Sequence, residues 1–242
     1  ITLNHKMNIV TVVQARCSSS RLPNKVLLPL LGKQLLLRQV ERMSHSTLIG
    51  KIVVATSNES SDDIIEKLCI ENQIFCFRGS LNDLLDRHYQ AAKFFLADAV
   101  VKIPSDCPLI DPRIIDNVIN FYIQNKDNYD YVSNLHPATY PDGNDVEIMS
   151  YSVLERAWKE AKKDFEREHT TPYIWENPDI FRIGNYYWET GNDYSMTHRF
   201  TIDYPEDYQF IKSVYEKLYP VNPYFSLDDI LTLLEKNLEI NN

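Results

Sequence analysis

Gln14-Ala-Arg-Cys-Ser-Ser-Ser-Arg-Leu-Pro-Asn-Lys25 decides how the chain is read. It follows the apolar run Ile9-Val-Thr-Val-Val13, whose β-branched content predicts a buried strand. Beyond it, Val26-Leu-Leu-Pro-Leu-Leu31 leads into a helical pattern after Gly32. The loop carries Arg16, Arg21 and Lys25, with consecutive serines from Ser18 to Ser20. A strand followed by a small, polar, cationic loop suits phosphate. Backbone N–H groups and hydroxyls donate to phosphate oxygens, and arginine adds forked, charge-assisted bonds. The loop contains neither GxGxxG nor GxxxxGK[ST], so it is neither a dinucleotide fingerprint nor a P-loop. Cations in a loop are often only a solvated turn. Here they follow the first core strand, at the end where α/β sheets open a ligand crevice, which favours the ligand-binding reading.

The segments downstream repeat the strand–helix alternation. A helix is expected over 33–45, with Leu35, Leu36, Val40 and Met43 near helical spacing. Lys51-Ile-Val-Val-Ala55 is a second strand, and Ser60 or Ser61 is placed to cap the helix after it. Ile74-Phe-Cys-Phe77 is a third strand, Asn82 is placed to cap a helix over 83–97, and Ala99-Val-Val-Lys-Ile103 is a fourth. This period predicts βαβ units and a mainly parallel sheet. The second half is mixed. Helices are expected over 112–124, 152–162, 165–175 with a break at Pro172, 205–218, and 227–236 with Ser226 as cap. Strands are expected over 129–133, 145–149, 181–184 and 199–202. No repeat, low-complexity tract or linker interrupts the chain, so one domain over 7–242 is expected. Residues 1–6 precede Met7, where the first strand pattern begins, and are expected to be a non-native or disordered extension.

Composition bounds the function. The 242 residues carry a net charge of −9, which argues against a general nucleic-acid binder, since that needs a broad basic surface. A cationic loop on an acidic body instead suits a small anionic ligand. No apolar run approaches the ~20 residues that span a bilayer. Cys17, Cys69, Cys76 and Cys107 show no CxxC pair, so free thiols in a reducing cytoplasm are expected.

Two aspartates stand directly after predicted strands. Asp106 lies in Pro104-Ser-Asp-Cys-Pro-Leu-Ile-Asp111, and Asp203 in Arg199-Phe-Thr-Ile-Asp-Tyr-Pro-Glu-Asp207. Strand-end carboxylates point into the crevice that the cationic loop borders. Mg²⁺ needs few protein carboxylates, because phosphates and water fill its other positions, so the pair is expected to hold it for nucleotidyl transfer. The plainer role is helix capping, which is accepted for Asp111 before Pro112. Without metal two neighbouring carboxylates repel, so neutralising either is expected to leave stability unchanged or slightly raised. Glu147 sits on a strand that would face the crevice, as a sugar contact or as an exposed strand carboxylate.

The same segments carry a family resemblance. Gln14-Ala-Arg16 with Ser19-x-Arg-Leu-Pro-x-Lys25 resembles the signature loop of the cytidylyltransferases that activate acidic sugars. The spore-coat polysaccharide branch, related to the CMP-sialate and CMP-Kdo synthetases, is the most similar. Asp106-Cys-Pro-Leu-Ile-Asp111 and Arg199-x-Thr-Ile-Asp-x-Pro-Glu-Asp207 extend it. So do Val54-Ala-Thr-Ser57 with Asp62-Asp63, Arg78-Gly-Ser80, Pro141-Asp-Gly-Asn-Asp-Val-Glu147 and Arg167-Glu-His-Thr170, in the same order. The chain departs from the family where Cys17-Ser18 replaces Met-Gly and where Ser105 replaces the glycine before Asp106.

The resemblance implies a three-layer α/β/α nucleotidyltransferase fold of the glycosyltransferase-A-like type, with a mostly parallel mixed sheet. It implies transfer of CMP from CTP to an acidic 2-keto sugar or a sugar phosphate, with Mg²⁺ and release of pyrophosphate. Arg16, Arg21 and Lys25 would hold the β- and γ-phosphates, with Arg16, Lys25, Asp106 and Asp203 the catalytic set. Gln14, Ala15, Ser19, Thr56, Ser57, Arg78, Gly79 and Ser80 would surround the nucleotide. Glu147 and His169 would contact the sugar. A cytoplasmic homodimer is the assembly expected, with neither nucleic acid nor membrane as partner. Two other readings stay open: a glycosyltransferase on the same fold, which ordinarily carries Asp-x-Asp at its metal, and a non-catalytic nucleotide-binding module.

Overall fold

The computed structural model describes residues 6–237. The expectation for the N-terminal extension, Lys6 apart, falls outside them. The strands are β1 (Ile9–Gln14), β2 (Pro29–Leu30), β3 (Lys33–Gln34), β4 (Lys51–Ser57), β5 (Phe75–Gly79), β6 (Ala99–Pro104), β7 (Tyr131–Ser133), β8 (Glu147–Ser150) and β9 (Ile183–Asn185). The α-helices are α1 (Leu35–Met43), α2 (Asp63–Glu71), α3 (Leu84–Phe94), α4 (Pro112–Gln124), α5 (Tyr151–Glu160), α6 (Asp164–His169), α7 (Pro172–Trp175), α8 (Pro205–Leu218) and α9 (Leu227–Lys236).

Seven strands form one sheet in the order β5-β4-β1-β6-β8-β7-β9. β1 pairs in parallel with both β4 and β6, and β4 with β5. β8 runs antiparallel to both of its neighbours, and β7 and β9 are parallel. The expected mostly parallel, three-layer α/β/α architecture is therefore present, with β8 as the reversed strand. Alternation along β1 explains the two cores. Ile9 and Val13 belong to the core that also holds the apolar faces of α1, α4, α8 and α9, while Val10 and Val12 belong to the core that holds those of α3 and α5. No helix among the described residues is long and apolar enough to cross a membrane.

Several boundaries move for identifiable reasons. The first helix starts at Leu35, because Leu31 and Gly32 both take positive φ and close a hairpin between β2 and β3. Neither Ser60 nor Ser61 caps α2; Asp62 stands at its start with its side chain turned inward. Asp83, not Asn82, caps α3 by accepting from the Asp86 N–H, and α3 ends at Phe94. The strands expected over 129–133, 145–149 and 181–184 shrink or shift to β7, β8 and β9. Residues 199–202 form no strand. The Phe200 N–H donates to Asp142 O and the Ile202 N–H to Asp106 O, so their backbone bonds go to two separate loops rather than one ladder. Asp111 caps α4 as expected, and its other oxygen accepts from the Leu227 N–H at the start of α9.

Gly50 fixes where β4 enters the sheet. Its φ is +66°, and a Cβ there would stand 2.1 Å from the carbonyl oxygen of Ile9, the first residue of β1. Gly32 also has positive φ, +78°, but a Cβ there meets nothing within 4 Å. Gly50→Ala is expected to lose roughly 3–4 kcal/mol of stability through backbone collision plus left-handed strain. Gly32→Ala should lose only about 1–2 kcal/mol, from the strain alone. Urea midpoints of the two variants beside the parent measure the difference; equal losses would mean that the Ile9 carbonyl does not constrain this junction.

Candidate active site

A cleft of about 710 Å³ opens at the carboxyl ends of β1 and β6. Its walls come from the loop after β1, from residues 80–84 and Arg87, from Pro104-Ser-Asp106, from α6, and from Asp203. Parallel strands deliver all their carboxyl ends to one edge, which is why loops so distant in sequence meet there.

The first loop is shaped from beneath. The Cys17 N–H donates to Asp62 Oδ1 at 2.7 Å, and the Ser57 hydroxyl donates to Asp62 Oδ2. The Cys17 carbonyl accepts from both the Ser19 and the Asn24 N–H groups, at 2.9 and 3.0 Å. Burial disfavours the Asp62 charge, but the bonds from Ser57 and Cys17 outweigh it and hold the carboxyl below its usual range. The Cys17 thiol is pushed up to about 11 by burial and then by the Asp62 charge, so it stays protonated and is no nucleophile. With the backbone pinned at Cys17, Arg16, Ser19, Arg21 and Lys25 are left lining the cleft.

Asp106 and Asp203 meet around one ammonium group. Lys25 Nζ lies 3.2 Å from Asp203 Oδ1 and 3.9 Å from Asp106 Oδ2, and also donates to the Ile202 carbonyl at 2.8 Å. Arg21 Nη2 is 2.8 Å from Asp203 Oδ1, and Arg199 Nη2 is 2.7 Å from Asp203 Oδ2. Burial raises the Asp203 pKa, but the Arg199 bond and the Lys25 and Arg21 charges outweigh it, so the net shift is downward. Asp203 is no cap: Tyr204 holds that place at α8, with Asp207 accepting from the Asp203 and Tyr204 N–H groups. The carboxyl end of β6 is fixed by Gln39 of α1, which donates to the Pro104 carbonyl at 2.6 Å and accepts from the Cys107 N–H at 3.0 Å.

The other expected site residues divide. Gln14, Ala15, Ser80 and His169 line the cleft. Thr56 and Ser57 are buried, with Ser57 spent on Asp62. Arg78 turns away to the carboxylates of Asp63 and Glu66 and to the Ser57 and Glu59 carbonyls. Gly79 does not line the cleft; a Cβ there would stand 2.9 Å from Arg87 Cγ. Glu147 is neither exposed nor in the cleft: it pairs with Lys102 Nζ at 3.1 Å and accepts from the Tyr131 hydroxyl at 2.5 Å. Burial works against its charge, but Lys102 and the surrounding bonds prevail, so it serves the interior.

Sequence reasoning did not single out Asp62, Gln39, Arg87 or Arg199. Arg87 is buried along the cleft wall, donating to the Ala55, Ser80 and Leu81 carbonyls, and burial beside Arg16 lowers its pKa to about 10. Arg199 and Asp62 were within segments already matched, and that was the one available signal. Among the described residues no three His, Cys, Asp or Glu side chains cluster as a metal cage. Asp106 and Asp203 nevertheless supply two hard oxygen donors around a point that already holds a cationic group, a set that suits Mg²⁺ once phosphate oxygens complete it.

The expectation that neutralising either aspartate leaves stability unchanged or slightly raised is corrected by Lys25, which lies between them. Asp203→Asn should destabilise the metal-free protein by roughly 1–3 kcal/mol at pH 7.5, since it removes the one carboxylate that Arg21, Lys25 and Arg199 share. Its folded pKa is depressed, so this contribution is present above the unfolded value and fades as pH falls through the folded one. Asp145 behaves oppositely. Burial and then the Asp106 and Asp142 charges raise it to about 7. A raised carboxyl loses stability as pH climbs from the unfolded value near 4 toward 7, so Asp145→Asn should stabilise at pH 7.5 and match the parent near pH 4. Urea melts at both pH values check the pair, and shifts of the same sign at pH 7.5 would refute this charge arrangement.

A cytidylyltransferase family model matches residues 10–227. An uncharacterized protein of Methanocaldococcus jannaschii is 36% identical over 237 residues, covering 98% of this chain and 94% of that protein. The spore coat polysaccharide biosynthesis protein SpsF of Bacillus subtilis is 32% identical over 236 residues, covering 95% of each. The solved structure of a cytidylyltransferase from Leptospira borgpetersenii superposes with a TM-score of 0.91 at 35% identity, covering 97% of both chains. The match runs from β1 to the start of α9 and so includes the pinned loop, Asp106 and Asp203: the chain belongs to the cytidylyltransferases, a family of nucleotidyltransferase enzymes.

Proposed function

We propose that this protein transfers CMP from CTP to a sugar, either an acidic 2-keto sugar or a sugar phosphate, and releases pyrophosphate. The product would feed a surface polysaccharide or glycoconjugate. The observation that carries this reading is the meeting of Asp106 and Asp203 around Lys25 at the mouth of a cation-lined loop. Use of CTP suits a cytoplasmic location, and a homodimer is the assembly that the family resemblance implies.

The residues divide the work by charge. Arg16, Arg21 and Lys25 would bind the β- and γ-phosphates and neutralise the departing pyrophosphate. To do so, Arg21 and Lys25 exchange part of their contact with Asp203 for phosphate oxygens. The freed face of Asp203, with Asp106, would hold Mg²⁺, which when bound supplies Lewis-acid stabilisation at the α-phosphate. Gln14, Ala15 and Ser80 would flank the base and ribose, and His169 on α6 would face the sugar. The chain holds the reactants in line and needs no strong general base, which suffices for phosphoryl chemistry of this kind.

Pyrophosphate release from each of four NTPs, with Mg²⁺ and a panel of acidic sugars and sugar phosphates, tests the reading. CTP alone should support rapid release, and CTP should raise the melting temperature most. Arg16→Ala, Arg21→Ala and Lys25→Ala should each weaken nucleotide binding or turnover about tenfold to a hundredfold. Asp106→Asn and Asp203→Asn should each remove most turnover, with the double variant little worse than either. A preference for another NTP, or independent multiplying losses at the two aspartates, would overturn the assignment.

A further inference from the structure

Thr170 carries strained backbone at the rim of the cleft. Its φ is +72° and its ψ −54°, and the Thr171 N–H donates to the His169 carbonyl at 2.9 Å. Those angles and that bond make a γ-turn of the rare, strained hand. A β-branched residue is poorly suited to positive φ, whereas glycine takes it without steric cost. The next residue adds to the strain. Thr171 is helical, with φ −104° and ψ −12°, directly before Pro172, whose ring disfavours that conformation.

Both sides of the turn are fixed. Before it, the Arg167 guanidinium donates to the Asp83 carboxylate at 3.1, 3.0 and 2.8 Å and to the Trp158 carbonyl at 2.6 Å. After it, the Thr171 carbonyl accepts from the Ile174 N–H at 2.9 Å, and its hydroxyl lies 3.3 Å from Trp175 Nε1. Thr170 is itself fully buried, with its hydroxyl 3.4 Å from His88 Nδ1 on α3. Strain of this kind persists only where the surroundings over-determine it, and it gathers where function needs a fixed geometry. The turn divides two environments. Glu168 and His169, directly before it, are exposed and line the cleft, whereas Thr170 and Thr171 are buried. A glycine at 170 would make the same turn without cost and would also leave it free to open. The buried threonine does the opposite: it accepts strain and leaves one geometry.

We propose that Thr170 is a positioning residue, whose strained turn locks the end of α6 and holds His169 against the reacting end of the bound nucleotide. The proposal rests on the sugar-activating reading above, in which His169 faces that end of the cleft, and adds the residue that keeps it there. Arg167 and Asp83 fix the rest of α6 against α3, so the turn at Thr170 sets the direction of the last residue before it.

The probe is Mn²⁺·CTP, added to protein with isotope-labelled histidine rings and followed by NMR, with Mg²⁺·CTP as the diamagnetic reference. The His169 ring signal, assigned by its loss in His169→Gln, should broaden in the parent. That of His45, which precedes β4 at the amino-terminal edge of the sheet, should not. Thr170→Ala keeps the strain and should keep the broadening. In Thr170→Gly the broadening should fall by about threefold or more, as the freed turn begins to move, while calorimetric CTP affinity holds. Thr170→Gly should also unfold at higher urea than Thr170→Ala, the reverse of the usual order of those two residues. A purely structural role would leave His169 equally broadened in both variants. That result, an unbroadened His169 in the parent, or a glycine variant less stable than the alanine one would each overturn the proposal. Failure of Mn²⁺·CTP to bind the parent would overturn the nucleotide reading and this proposal with it, so the two failures are distinguishable.

Discussion

One ammonium group gathers the functional end of this fold. Lys25 Nζ touches the Ile202 carbonyl and Asp203 and comes within 3.9 Å of Asp106. Lys25 and Asp203 lie 178 positions apart, so no local preference brings them together. The attraction is partly shielded from water, where opposite charges interact more strongly than at an exposed surface. It ties the loop after β1, the turn after β6 and the approach to α8 into one wall. A lysine here is also replaceable: its flexible stem can follow a phosphate and leave the two carboxylates to a metal.

That wall is reinforced from behind by buried groups, one neutral and two charged. Gln39 clamps the turn after β6, and Arg42 donates to the Leu109, Ile110 and Phe225 carbonyls while its guanidinium lies 4.1 Å from the Phe225 ring centroid. Asp62 does the same for the first loop through Cys17. None of these three needs to meet substrate. Each holds backbone whose other face does, which is how a site on loops acquires the rigidity of the sheet beneath.

The sequence was most informative where one physical rule acted alone. Val10, Val12, Val53 and Val100 are β-branched residues in short apolar runs, and each lies in a central strand. The cationic loop was legible because charge density directly after a core strand has few structural uses. Residues 199–202 misled for the converse reason. Phe200 and Ile202 alternate as in a strand, yet the segment's backbone bonds are divided between Asp142 and Asp106, a tertiary fact that alternation does not encode. Arg78 and Glu147 misled because residue type gives no direction. The nearby carboxylates of Asp63 and Glu66 captured the first, and Lys102 captured the second.

The charges around Asp203 are divided between its two oxygens. Arg21 and Lys25 face Oδ1, while Arg199 faces Oδ2 and reaches on to Asp142 with its other nitrogen. The first two cations come from the loop after β1, and the third stands four residues before Asp203 on its own segment. A phosphate that drew Arg21 and Lys25 toward itself would therefore free Oδ1 while Arg199 still held Oδ2. The carboxylate would keep its place as one oxygen became available to a metal, because the group that orients it is separate from the groups that leave it. Division of labour among three cations thus does for the aspartate's orientation what Lys25 does for the assembly of the wall.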